Sequence, residues 1–164
     1  RSVAVGSEAL KTQNTTSTSN IYNVAMGFHA GRFITTGVQN TLIGALTGDA
    51  ITEADFNVAL GYQALSGDTL GSRSTAIGRA ALRAQNFTSA TDAYNVAVGM
   101  NAGLSVTTGD RNTFIGSLTG DAINTGVRNV ALGYGALGAE VKGNKTVAVG
   151  HNALAGQILS LIHI

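Results

Sequence analysis

The sequence predicts an all-β fold, a parallel β-solenoid of nine coils, on three observations. One motif with a central glycine occurs nine times, the copies are 17 or 21 residues apart, and each copy alternates β-branched with small residues. The central glycines are Gly6, Gly27, Gly44, Gly61, Gly78, Gly99, Gly116, Gly133 and Gly150, read as structural turn positions. Their spacings run 21, 17, 17, 17 and then repeat, which makes a larger unit of 72 residues. Aligning residues 1–72 on 73–144 leaves 39 of 72 positions identical, and a partial third unit covers 145–158. The repeat domain is therefore a single one, residues 1–158.

Each motif position has a physical reading. The residue before the central glycine is always aliphatic, from Val5 and Met26 to Leu132 and Val149, and the residue three before it is always Val or Thr. Strand alternation puts these two positions on one face, and β-branched residues favour a strand. Stacked in register they are expected to form a continuous aliphatic column at the core. The opposite face carries Ala in seven copies, with Leu42 and Phe114 in the other two. That small-residue face is expected to point outward and to meet another subunit, which predicts a homo-oligomer. Four before the glycine stands only Asn, Ser or Thr, a side chain able to hydrogen-bond a turn backbone.

After the central glycine, a bend or a close backbone approach, a second short strand is expected. Where Gly48 and Gly120 replace Leu, the nearby Leu46 and Leu118 read as compensating. A return turn follows at Gly37, Gly71, Gly109, Gly126 and Gly143. One coil would thus hold two strands and two turns, with nine coils stacked about 4.8 Å apart into a rod of roughly 40 Å.

Composition narrows the function. Of 164 residues 22 are Gly and only 12% are charged, with no Pro, Cys or Trp. So few large side chains rule out a thick globular core. A formal net charge of +1 speaks against nucleic-acid binding. No apolar run is long enough to insert into a membrane as a helix, and without Cys neither disulfides nor thiolate metal sites can form.

The repeats NVAVGMNAGLSVTTGDRNTFIG and NVALGYQAL resemble the head repeats of trimeric autotransporter adhesins. They are more similar still to the Ala-Ile-Gly repeats of tail-fibre-like proteins that end in an endosialidase-type chaperone domain. The resemblance covers residues 1–158. It implies a left-handed β-roll, three chains around one axis, and surface attachment at a cell surface or on a virion fibre. The adhesin heads have shorter coils, and no family binding residue carries over. The chain opens inside a repeat and reads as a fragment, and its last residues, 159–164, read as a sequencing-adaptor artefact outside the repeat.

Signals of chemistry are sparse. His29, His151 and His163 have no metal-ligand spacing. The Gly-Asp pairs, such as Gly67-Asp68, read as turns and lack the calcium β-roll pattern. No phosphate loop or cofactor signature occurs. Glu8, Glu53, Asp55, Asp92 and Glu140 form no repeated pair, so a non-enzyme is expected; a group of carboxylates brought together by folding would favour a catalytic solenoid instead.

The variable elements are the expansions Thr12–Asn20 and Ala84–Asp92, four coils or roughly 19 Å apart. Their candidate ligand-binding residues are Asn14, Thr15, Thr16, Asn86, Phe87, Thr88 and Asp92. Displayed several times around an oligomer, such loops gain avidity for a glycan or protein receptor on a host surface. The expected function is an adhesive segment of an extracellular fibre. The alternatives are a passive spacer or self-assembling filament and, behind them, an ice-binding solenoid.

Overall fold

The computed structural model describes residues 1–14, 20–139 and 142–156. It is all-β, a parallel β-solenoid, as the repeat predicts. Eleven strands follow one another: β1 Val3–Val5, β2 Val24–Met26, β3 Thr41–Ile43, β4 Val58–Leu60, β5 Gly71–Ser72, β6 Thr75–Ile77, β7 Thr91–Asp92, β8 Val96–Val98, β9 Thr113–Ile115, β10 Val130–Leu132 and β11 Val147–Val149. Nine of them, all but β5 and β7, form one sheet in chain order. Every neighbouring pair is parallel and in motif register, for example Ala25 opposite Leu42, and Leu42 opposite Ala59.

The two faces of this sheet are the reverse of the sequence expectation. The middle residue of each strand points inward: Ala25, Leu42, Ala59, Ala76, Ala97, Phe114 and Ala131 have no solvent exposure. The flanking aliphatics point out, with Leu60 and Met26 each 46% exposed and Val149 67%. The cause is the narrow interior. Leu10, Leu65, Leu82 and Leu137, four after the central glycines, reach into it. So do Ile34, Ile51, Val106 and Ile123, seven after. Facing them there is room for little more than a methyl group, so Ala belongs inside and the β-branched residues are displaced outward.

Where the fourth position is glycine, a large strand residue of the same coil or the next supplies the volume: Leu42 for Gly31 and Gly48, Phe114 for Gly103 and Gly120. A Cβ on Gly48 would lie 2.9 Å from Leu42 Cδ2, and one on Gly103 would lie 3.0 Å from Phe114 Cδ2. Leu42 and Phe114 are therefore the compensating residues. Leu46 and Leu118, read that way from sequence, sit half-buried on the outer corner with positive φ.

The second strand of each coil also fails to form. Residues after the central glycine run through consecutive turns, and the second sheet among the described residues is only β5 paired with β7. Non-glycine residues two and four after the centre are left-handed, as at Gln63 (φ 57) and Leu65 (φ 53). That conformation is unfavourable for an L-residue. Bonds between coils hold it: Leu46 N donates to Phe28 O at 2.8 Å, and Leu65 N to Ala81 O at 2.9 Å. The central glycines are both bend and close approach. Gly61 has φ 129, and a Cβ there would stand 2.7 Å from the Gly78 carbonyl.

From Asn23 to Thr146 the polar position four before each glycine is buried and forms a ladder. Asn57 Oδ1 accepts from Ser74 N at 2.8 Å, and its Nδ2 donates to Gly71 O at 2.9 Å. Asn40 Oδ1 accepts from Asn57 N at 2.9 Å, and the same pairings recur at Asn95, Asn112 and Asn129. Each side chain satisfies one donor and one acceptor that burial would otherwise leave unpaired. Ser74 has no amide to continue the ladder, so Gln85 bridges the gap. Its Nε2 donates to Ser74 Oγ at 3.1 Å and its Oε1 accepts from Asn95 Nδ2 at 2.8 Å.

Candidate functional site

The largest chemically distinct surface is the outward face of the nine-stranded sheet. Residues one and three before each central glycine line it, and alternation extends it by a column on either side. One column, on the residue after each glycine, holds Phe28, Tyr62, Met100 and Tyr134, all 44–51% exposed. The other, five before each glycine, holds Tyr22, Phe56 and Tyr94 at 40–46% exposure. In the other coils the first column has Ser7, Ala45, Arg79, Ser117 and His151, and the second has Arg1, Gln39, Arg73, Arg111, Arg128 and Lys145. From Tyr22 to Lys145 every residue of the second column is left-handed, which turns its side chain outward at the corner, as at Tyr94 (φ 51) and Arg128 (φ 59).

The face spans eight inter-strand steps, roughly 38 Å, and four alternating columns, at most about 20 Å. Its footprint is about 800 Å², and the two central columns fill about half of that, comparable to the largest apolar patch of an ordinary monomer, roughly 300–600 Å².

Along its second column charge and aromatic rings interleave. The Arg73 guanidinium lies 4.7 Å from the Phe56 ring centre and 5.8 Å from that of Tyr94. Its Nε is 2.9 Å from Asp92 Oδ1, and that bond, more than any other neighbour, raises the affinity of Arg73 for its proton. On the other column Tyr134 stacks on His151 with ring centres 5.3 Å apart.

A polar cluster occupies the first three coils. Glu8 Oε1 accepts from Lys11 Nζ at 2.8 Å. Its Oε2 lies 2.8 Å from Arg32 Nε and 3.2 Å from His29 Nε2, ion-pair distances without hydrogen-bond alignment. The Lys11 hydrogen bond, with the Arg32, Lys11 and His29 charges, lowers the Glu8 carboxyl below its ordinary range against a smaller effect of burial. Asp49, nearby, goes the other way: burial raises it, and Asp49 Oδ1 has no hydrogen-bond partner. His29 stacks on Phe28 at 3.7 Å and its side chain is only 17% exposed. Its relative His151 is exposed.

Of the candidate loop residues, Thr15 and Thr16 lie outside the described residues, as does Glu140. Asn14 is exposed and its N–H donates to Thr35 O at 2.9 Å. Asn86 and Thr88 are exposed; Asn86 Oδ1 accepts from Thr69 Oγ1 at 3.1 Å. Phe87 turns inward and is 6% exposed, an anchor of the expansion rather than a ligand contact. Its N–H donates to Asp68 Oδ1 at 3.1 Å, which also accepts from Gly71 N at 3.0 Å, while Asp68 Oδ2 accepts from Gln85 Nε2. Asp68 is wholly buried, so this Gly-Asp pair is the internal mooring of the expanded coil.

Folding does bring three carboxylates to one groove, which sequence reasoning missed. Glu53, Asp55 and Asp92 line it with Ser72 and Thr91, around a space of about 410 Å³. Two are already engaged: Asp92 by Arg73, and Asp55, whose Oδ1 accepts from Val38 N at 2.7 Å. No group of three His, Cys, Asp or Glu among the described residues is arranged to hold a metal ion. Coil stacking across 17 and 21 residues makes the groove, and the one-dimensional spacing of its carboxylates carries no sign of it.

Comparison with protein-family models, with curated proteins and with solved structures finds no match to the chain.

Proposed function

We propose that this chain is a non-catalytic segment of an extracellular attachment fibre, in which copies stand side by side with their aliphatic sheet faces turned inward to a common axis. The observation that carries the reading is the outward face itself. Its Val, Thr, Ile, Leu and Met columns, flanked by exposed rings, run the whole length of the rod as one mainly apolar strip open to water. Three copies are the number proposed, in keeping with the resemblance of the repeats to trimeric adhesin heads. The surfaces left outside the oligomer, including the exposed segment Thr88–Ala90, would then be displayed once per copy around the axis. A glycan or protein receptor on a host surface is the proposed target.

A passive spacer is the second reading. It is favoured by the buried Asp68–Gln85–Phe87 mooring, which commits much of one expansion to structure.

Solution mass by light scattering, with circular dichroism on the same sample, tests the oligomer. A β-rich trimer is expected; a folded monomer at micromolar concentration sinks the reading. Glycan arrays with and without residues 88–90 then separate an adhesive segment from a spacer.

A further inference from the structure

The two edge columns of the sheet face alternate together. In coils centred on Gly27, Gly61 and Gly99 both edges are large: Tyr22 with Phe28, Phe56 with Tyr62, Tyr94 with Met100. In the coils centred on Gly6, Gly44 and Gly116 the partner of a long polar residue is small: Arg1 with Ser7, Gln39 with Ala45, Arg111 with Ser117. The fifth coil instead has Arg73 with Arg79, and the last two have Arg128 with Tyr134 and Lys145 with His151. The large pairs thus recur every second coil from Gly27 to Gly99, half the 72-residue repeat. Within one chain the two edges lie on opposite sides of the strand and do not touch, so their matching serves nothing inside a single rod.

We infer that the edges are a mating pair between copies of this chain: the Tyr22–Phe56–Tyr94 edge of one copy seats against the Phe28–Tyr62–Met100 edge of the next, at equal height. The inference rests on the parallel oligomer proposed above. Any rotation about an axis parallel to the rod keeps each coil at its own height and brings opposite edges together. Large then meets large in the coils of Gly27, Gly61 and Gly99, and long meets small in those of Gly6, Gly44 and Gly116. Ring-to-ring and ring-to-thioether packing in alternate coils would fix the register more sharply than the smooth aliphatic strip between. A slip by one coil would set aromatic rings against Arg, Gln and Ser. The opposition of Arg73 and Arg79 in the fifth coil is relieved because Arg73 is already paired with Asp92. In a closed trimer each copy divides its face, about 800 Å², between two neighbours, so the three contacts together reach the area of a stable assembly.

The chain has no cysteine, so disulfide trapping reads the contact directly. All substitutions fall on exposed side chains, and circular dichroism verifies folding. Under mild oxidation F56C/Y62C is expected to form covalent dimers and closed trimers, and Y94C/M100C, a second pair at a different height, to do the same. The mismatched pair F56C/M100C, two coils out of step, should remain uncrosslinked. Crosslinking of F56C/Y94C instead would mean like edges meet in antiparallel copies, and would overturn the inference. An oligomer by mass in which neither matched pair crosslinks would overturn the edge pairing and leave the fibre reading standing. A monomer by mass would remove both.

Discussion

Phe114 fills the space that a side chain on Gly120 would need: a Cβ at Gly120 would lie 2.6 Å from Phe114 Cδ1. In coils of the other pattern the roles are exchanged, with Ala131 on the strand and Leu137 (φ 58) across the core. Phe114→Ala alone should destabilise by about 3–5 kcal/mol, through lost burial and the cavity left behind. Adding Gly120→Leu converts one packing pattern to the other. Leu tolerates the left-handed backbone at five equivalent described positions, so the double variant should recover most of the loss. Chemical denaturation of the four proteins in the cycle would yield a favourable coupling of about 1–3 kcal/mol; simple additivity would refute the exchange.

The Asn ladder should be intolerant of truncation. Asn57→Ala strips partners from Ser74 N and Gly71 O at once, both in the buried interior. Each orphaned group costs about 1–3 kcal/mol, so a loss of roughly 2–5 kcal/mol is expected from urea unfolding. An exposed Asn86→Ala should change stability by no more than about 0.5 kcal/mol.

Asp68→Ala should loosen one expansion without dismantling the rod. Phe87 N and Gln85 Nε2 lose their acceptor. Amide exchange is expected to quicken at Phe87 and its neighbours while the Asn112 and Asn129 amides, several coils away, stay protected. Equal acceleration throughout would show that Asp68 supports the whole solenoid instead.

Acid and base should act on the fold in opposite ways through two kinds of carboxyl. Burial raises Asp121 above its ordinary 3.8, against the hydrogen bonds of its own N–H and that of Ala122. Its folded form holds the proton more tightly than the unfolded chain. Its contribution is therefore present below about pH 3.8 and declines as pH rises through the folded value. Glu8 runs the other way: lowered from 4.5 by Lys11 and its neighbours, it contributes above that value and loses its contribution as pH falls through the folded one. Asp121→Asn should raise the urea midpoint at pH 7 and leave it unchanged at pH 3. The gain should stay under about 1 kcal/mol, because the carboxyl keeps contact with solvent.

Much of the fold was legible in the residues. Glycine spacing set the coil length, β-branched triplets marked the strands, and the invariant Asn, Ser or Thr announced a buried turn partner. Alternation, however, defines two faces without saying which is inside. That depends on how far Leu65 and Ile51 reach from the far wall, a quantity set by coil radius and not by any local pattern. The same holds for Leu42, whose partner Gly48 is near in sequence but which also fills the space beside Gly31 in the coil before. The edge columns and the Glu53–Asp92 groove arise only when coils stack, since their members lie 17 to 39 residues apart. Phe87 was misplaced because a lone aromatic in a polar loop gives no sign of whether it faces water or the hole beside Gly71.

The in-register stack also has a mechanical consequence. Bonds between coils run along the rod, so tension applied to its two ends loads them lengthwise, one coil at a time. A force that would have to shear a whole antiparallel sandwich in a single event here needs only to lift the outermost coil. Each 17-residue coil so lifted pays out up to about 60 Å of chain. The coil beneath remains a template onto which the lifted one can rewind when the load drops. A tether built this way yields in small reversible steps and damps a sudden pull instead of snapping.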